Sequence, residues 1–251
     1  MNNLNLLYNK LYYNDLGKSE EVFLASLDKW NGELFGTTFA AVDYRPSPVP
    51  GVTSFRMKTA YPGLLIGTGY AHGTSQDKAN ADLNAGFSFD YVTGQPYIPG
   101  SSVKGVLSSC FKYPKVIKHL LPEAAGKVPE LRASIFGVPQ EEYGDWQDET
   151  GVDVFFDAVL CGAPADGRIM GGDYITPHSS VTSDPTPIFI PKVLPGVTFE
   201  FRFLLADSVI GGTTVAAEKK RKLFADLLGL FGIGAKTNVG YGILERADAP
   251  V

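Results

Sequence analysis

Within one short segment, Tyr97-Ile98-Pro99-Gly100-Ser101-Ser102-Val103-Lys104-Gly105-Val106-Leu107, the chain has to switch backbone conformation. Pro99 keeps Ile98 out of the helical region, so the segment is entered in extended form. Gly100 is free to take the dihedrals of a tight turn. Ser101 or Ser102 can then cap a helix running through Val103, Val106, Leu107 and Cys110. A strand end followed at once by a helix start calls for a fold that mixes the two. Such a helix start presents free backbone N–H groups and a positive dipole end, and Lys104, one turn in, adds a full charge. Gly100, Ser101, Ser102 and Lys104 therefore form a candidate anion site, for which phosphate is the usual anion. Capped helices after Pro-Gly are common and most bind nothing, so the stretch needs support from elsewhere in the chain.

The 251 residues suit one large domain or two small ones. At 44% hydrophobic and 20% charged, the composition is that of a globular protein and not of a disordered one. No run approaches the roughly 18–20 apolar residues that span a bilayer, which predicts no membrane partner. Met1-Asn2-Asn3-Leu4-Asn5 lacks the basic and apolar regions of a signal peptide. The two cysteines, Cys110 and Cys161, form no CxxC; they predict buried thiols in a reduced, cytoplasmic setting and no zinc site. The net charge of −5 implies that any nucleic-acid contact is a localised groove on an otherwise acidic surface.

Along the chain, Leu4, Leu7, Tyr8 and Leu11 recur at helical spacing, and Ser19-Glu20-Glu21 opens a second helix with Val22, Phe23, Leu27 and Trp30 on one face. A proline-rich connector covers 43–51. Residues 53–61 alternate as a strand, and Leu64-Leu65-Ile66 reads as a buried strand. Gly67-Thr68-Gly69-Tyr70-Ala71-His72-Gly73 reads as a loop, with a polar segment over 74–84. Phe87, Phe89 and Tyr91 alternate as a further strand. Short helices are expected over 113–121 and 129–136, an acidic loop over 140–150, and one strong strand over 152–160. The turn-rich segment 161–187 has no core periodicity and is expected to protrude. Strands over 188–193 and 197–205 flank Leu194-Pro195-Gly196, a hairpin signal. The clearest amphipathic helix covers 213–231, with Phe224, Leu227, Leu228 and Phe231 on one face. Glu218 and Lys222 are spaced to pair, and Lys219-Lys220-Arg221-Lys222 reads as a solvated run. The order predicts an α+β fold, with a helical extension over 1–51 packed on a domain over 52–251.

The stretch Gly232-Ile233-Gly234-Ala235-Lys236-Thr237-Asn238-Val239-Gly240-Tyr241-Gly242 follows that helix. Ala235-Lys236-Thr237 does not complete a P-loop, because Ala235 and Leu230 stand where glycines are required and the order is helix then strand. A dinucleotide loop likewise needs a strand before it. What remains is a loop whose glycines allow close approach to the main chain, with one cation among polar neighbours. Its N–H groups suit phosphate oxygens. Gly234, Lys236, Thr237, Asn238 and Tyr241 are the candidate residues here.

Together these motifs resemble the RAMP superfamily, the RNA-binding subunits of CRISPR effector complexes. Residues 98–105 are similar to the family's I-P-G-[ST]-S-[LIV]-K-G segment, and residues 232–242 to its C-terminal glycine-rich loop. Phe136-Gly137 and Phe155-Phe156-Asp157-Ala158 match its F-G … F-x-D-A passage. Asp173-Tyr174-Ile175-Thr176-Pro177-His178, with Pro185, Pro187 and the following strands, is most similar to the sixth-subunit family of type III-B (Cmr) complexes. The resemblance implies a ferredoxin-like (RRM-like) RAMP core with a helical N-terminal extension and insertions, with both anion loops on one face. It further implies guide RNA paired with target RNA, and other Cmr-type subunits, as partners. The guide backbone would be held near its 3′ end, with no cofactor, no metal and no catalytic residue.

Two departures stand out. Where the family's helix usually carries an arginine after Lys-Gly, this chain has Ser108. Where related subunits keep a cleaving aspartate, after the first core strand, there is no carboxylate until Asp77. The competing reading is an endoribonuclease with His72 or His178 as base and Asp77 or Asp82 as its partner or metal ligand. A protein-interaction module would explain the acidic surface but not two anion-friendly loops.

Overall fold

The computed structural model describes residues 3–41, 49–72, 83, 85–137, 151–176 and 187–247. Asp77, Asp82, His178, the acidic loop and most of the proline-rich connector lie outside these residues. Two helices open the chain, α1 (Leu4–Asn9) and α2 (Glu20–Gly36), joined through a 3-10 turn at Leu11–Tyr13. Then come β1 (Val52–Thr59), β2 (Gly67–Ala71), β3 (Ala85–Phe87) and β4 (Tyr97–Ile98), followed by helices α3 (Gly100–Cys110), α4 (Pro114–Leu120) and α5 (Val128–Phe136). Strands β5 (Val154–Phe155), β6 (Ala158–Gly162), β7 (Met170–Ile175), β8 (Ile188–Val193), β9 (Thr198–Leu204), β10 (Ser208–Ile210) and β11 (Thr213–Val215) precede α6 (Ala217–Phe231) and β12 (Leu244–Arg246).

The main sheet runs β12-β1-β9-β6-β4, with β5 also paired to β9, and every pair is antiparallel. Period-two alternation sets its two faces. Phe55, Met57 and Thr59 of β1 and Phe199, Phe201 and Phe203 of β9 point inward and are buried. Phe55 stacks on Phe201 and Phe203 at centroid distances of 5.5 and 5.4 Å. The apolar stripe Leu223, Phe224, Leu227 and Leu228 of α6 closes this core, as its spacing predicts. Leu4, Leu7 and Tyr8 of α1 and Phe23, Leu27 and Leu34 of α2 belong to the same hydrophobic cluster.

Several expectations are corrected. Gly67–Ala71 is a strand, because Ala85–Phe87 supplies a partner that the local sequence does not reveal. Leu64-Leu65-Ile66 is buried but makes only a single bridge, Leu64 to Val193. The strong strand over 152–160 is two strands broken at Phe156-Asp157. Strands β8 and β9 do not form a hairpin with each other: β8 pairs with β7, and Leu194-Pro195-Gly196 carries the chain between two sheets. The base of the 161–187 segment is the β7–β8 ribbon, and it packs on α2 through Phe35 against Phe189 at 5.9 Å. Glu218 pairs with Arg221 instead of Lys222. Within the lysine run, Lys220 is fully buried against Asp153.

Candidate nucleic-acid interface

The start of α3 is capped, but not by serine. Pro99 is the N-cap residue, and Ser101 and Ser102 lie exposed in the first turn without a capping bond. The Gly100 N–H donates to Oδ1 of Asp157, 2.7 Å away, at the break between β5 and β6. Gly100 has to be glycine because a Cβ there would lie 2.4 Å from the Phe155 carbonyl oxygen. Its N–H and its open side are both used by the protein, and a carboxylate already sits against the positive helix end. The anion site expected at this N-terminus is thus largely filled. Lys104, half-buried one turn on, remains.

The glycine-rich loop is held differently. Gly234 has φ +91°, and a Cβ there would lie 2.3 Å from the Leu65 carbonyl oxygen. Ala235 N–H donates to that same oxygen at 2.9 Å, and Gly242 N–H donates to the Gly63 carbonyl at 2.8 Å. The glycines therefore serve close packing of the chain on itself. Lys236 takes φ 58°, the one positive φ outside glycine among the described residues. A lysine in the left-handed region costs about 1–2 kcal/mol, and outliers of this kind concentrate at functional sites. Lys236 and Asn238 are exposed and Thr237 is half-buried. The N–H groups of Gly234, Lys236, Thr237 and Asn238 have no partner among the described residues. Four donors without a protein partner and one ammonium thus fall within five consecutive residues, a composition suited to an anion.

Tyr241 is not part of that surface. It is 7% exposed, and its hydroxyl donates to Oδ2 of Asp173 at 2.7 Å, where Lys192 Nζ donates at 2.6 Å. Burial, then the Asp173 carboxylate, push the phenol up to about 12. Burial acts to raise Asp173 too, but the bonds from Lys192 and Tyr241 outweigh it and hold the carboxyl below its ordinary value. Tyr241 thus clasps the loop to the β7–β8 ribbon. Tyr241→Phe removes a bond to a charged acceptor and should cost about 1.5–3 kcal/mol in denaturant titration. A depressed Asp173 adds stability that is lost as pH falls through its folded value. A raised Tyr241 adds stability that is lost as pH rises from about 10 toward 12. The phenylalanine variant should therefore show a flatter alkaline limb than the parent.

Register places the two anion loops apart. Gly100 sits against Phe155, which pairs with Phe203 and so lies level with Thr53, whereas the glycine loop leads into Leu244, paired with Thr59. Six residues of strand separate these levels, about 20 Å. The two loops do not form one cradle; a polymer would need several nucleotides to bridge them.

Sequence reasoning missed three residues. Asp157 was visible in the F-x-D-A passage but carried no assigned role. Tyr61 is 82% exposed on the turn bonded to the glycine loop. Arg132 reaches from α5 to Ser108, Nη2 to Oγ 3.3 Å. The outward face of the sheet lines a cleft of about 650 Å³ with Arg56, Arg202, Tyr97 and Phe156. Glu200 takes both Nε and Nη2 of Arg202 and lies 3.9 Å from Arg56, so the floor is not strongly cationic. Burial, then Asp157 and Asp90, raise the Tyr97 hydroxyl above its ordinary value. His72 is buried, with Nδ1 2.8 Å from the Leu83 carbonyl and Nε2 2.8 Å from that of Tyr8. Among the described residues no group of three or more His, Cys, Asp or Glu is placed to hold a metal. No helix there is long and apolar enough to cross a membrane.

With a mixed antiparallel core and a glycine loop of this geometry, residues 56–245 match the family model of the RAMP superfamily, and the chain belongs to that superfamily. It is similar to the CRISPR system CMR subunit Cmr6 of Saccharolobus solfataricus, 26% identical over 187 residues. That match covers 71% of this chain and 55% of the relative, so the chain spans about half the relative's length. A chain of the type III-B Cmr-beta complex bound to cognate target RNA shares the fold, with TM-score 0.52 and 22% identity over 98% of this chain and 71% of that one. Cmr6 from Pyrococcus furiosus is a looser match, with TM-score 0.42 and 23% identity over 78% of this chain and 98% of that one.

Proposed function

We propose that this chain is a non-catalytic RNA-binding structural subunit of a type III-B (Cmr) CRISPR ribonucleoprotein. It holds the guide RNA backbone near the 3′ end, contacts paired target RNA and neighbouring Cmr-type subunits, and acts in cytoplasmic antiviral defence. Its order β1-α3-β6-β9-α6-β12, with sheet order β12-β1-β9-β6, is read as the ferredoxin-like core that the resemblance implies. The observation that carries the RNA reading is the glycine loop, with Lys236 strained into the left-handed region amid four unpaired N–H groups. The scaffold reading draws support from His72, whose ring nitrogens both face carbonyl oxygens in a buried site, a poor setting for a general base.

Lys104→Ala and Lys236→Ala should each weaken binding of every RNA sequence alike. Each should reduce the salt slope by about 0.7, the contribution of one phosphate contact on a single strand. Lys236→Gly removes the charge without the strain and should behave as Lys236→Ala does. Unchanged slopes in all three would remove the support for phosphate contacts. Incubating the chain with labelled guide–target duplex and magnesium or manganese should leave both strands intact. Specific cleavage abolished by His72→Ala, Asp77→Ala or Asp82→Ala would replace the scaffold with an endoribonuclease.

A further inference from the structure

We infer that the flank of α3 bearing Lys104 and Ser108 is a second phosphate-binding surface, completed by Arg132 from α5 and extended by Lys112. The inference rests on the RNA-binding reading above and adds Arg132 and Lys112, which lie outside the motifs, to the contact already assigned to Lys104. Residues four apart share one side of a helix, so Lys104 and Ser108 lie together and Lys112 follows in the turn that continues α3. Arg132 Nη2 donates to the Ser108 hydroxyl at 3.3 Å, which brings its guanidinium to the same side.

The charge environment of Arg132 sets it apart. Among the described arginines, Arg56, Arg168, Arg202, Arg221 and Arg246 all lie within 4 Å of a carboxylate. Arg132 has no carboxylate that close among the described residues, and it donates instead to a neutral hydroxyl. Lys104 and Lys112 also have no carboxylate partner among the described residues, and α3 itself carries no acidic side chain. On a chain of net charge −5, three cations left uncompensated on one flank are a localised positive surface. Lys112 is exposed and Lys104 and Arg132 are half-buried, so all three charges stay within reach of solvent. A guanidinium with most of its donors unused suits the paired oxygens of a phosphodiester. The occupant is therefore the backbone of a single RNA strand, read without regard to base.

The test is fluorescence anisotropy of a labelled single-stranded RNA against the full chain across a salt series. Arg132→Gln keeps a donor for Ser108 and removes the charge. It should lower the salt slope by about 0.7, equally for unrelated sequences, with an unchanged melting temperature. Arg132→Lys should hold the parental slope. Arg132→Ala with Ser108→Arg, which returns the charge to the same flank from α3 itself, should restore it. A slope unchanged by Arg132→Gln, while Lys236→Ala lowers it, would overturn the inference and leave the RNA reading in place. A slope that falls in Arg132→Gln but is not restored by Ser108→Arg would also overturn it, by making Arg132 a structural tether. Absence of RNA binding by the parent chain would overturn both.

Discussion

Lys220→Ala should cost about 3–5 kcal/mol of folding stability, the usual loss when one partner of a buried ion pair is removed. Lys220 and Asp153 are both fully buried. The ammonium donates to Oδ1 of Asp153 at 2.8 Å, to Oδ2 at 2.6 Å and to Ser208 Oγ at 3.1 Å, so all three of its donors are used. Asp153 Oδ1 also accepts the Ala206 N–H at 3.0 Å. Without the lysine, the carboxylate keeps that bond but loses its counter-charge. Burial already pushes the Asp153 carboxyl above its ordinary value, despite Lys220 and Ala206. In the variant this bias grows. The folded state then binds a proton more tightly than the unfolded chain, so the variant should gain stability as pH falls from neutrality. The double change Lys220→Met with Asp153→Asn keeps volume and the bond to Ala206, and should recover most of the loss. Urea titrations at several pH values read all three outcomes. A Lys220→Ala variant with parental stability and no pH dependence would refute the pair.

Phe201→Ala should cost about 3–5 kcal/mol, and Leu227→Ala about 2–5 kcal/mol. Phe201 is fully buried on the central strand β9, stacked on Phe55, and Leu227 is fully buried on the α6 face that covers it. Both deletions open space where neighbours on two layers are fixed by backbone pairing and cannot collapse. On the opposite face of the same sheet, Lys58→Ala should stay within about 0.5 kcal/mol, since its pairing with Glu245 at 3.7 Å is solvent-exposed. Thermal melts of the three variants check both the magnitude and the alternation. A mild Phe201→Ala would mean that the inward and outward faces of β9 had been exchanged.

These two predictions draw on different amounts of sequence information. The stripe that buries Leu227 is written in the spacing of residues 224–231, and the alternation of Phe199, Phe201 and Phe203 is equally local. Lys220 was hidden, because its neighbours Lys219, Arg221 and Lys222 make it look like one more solvated charge. Its partner lies in a distant segment that periodicity cannot connect to it. The candidate interface divides the same way. Glycines and Lys236 mark the C-terminal loop, yet what they contact is set by Gly63 and Leu65 across the fold. Asp157 in place of a serine cap, and Arg132 at Ser108, are pairings between segments that only the folded chain brings together. The two-sheet arrangement was missed at Leu194-Pro195-Gly196 because a turn signal specifies a change of direction and not which strand the next one will join.

The pairing of β1 has a consequence for how this chain is made. Its neighbours are β9 and β12, with Met57 opposite Phe199 on one side and Arg246 on the other. On a ribosome adding about 5–20 residues per second, β1 emerges many seconds before either partner. α1 fares no better: at six residues it is too short to persist alone, and its anchors are the Gly94 and Ala85 carbonyls and the His72 ring. The central sheet therefore cannot close until the residues through β12 have left the exit tunnel. Until then the inward phenylalanines of β1 and β9 are open to any sticky neighbour, and a nascent chain stalled before β12 would be a natural client for chaperones.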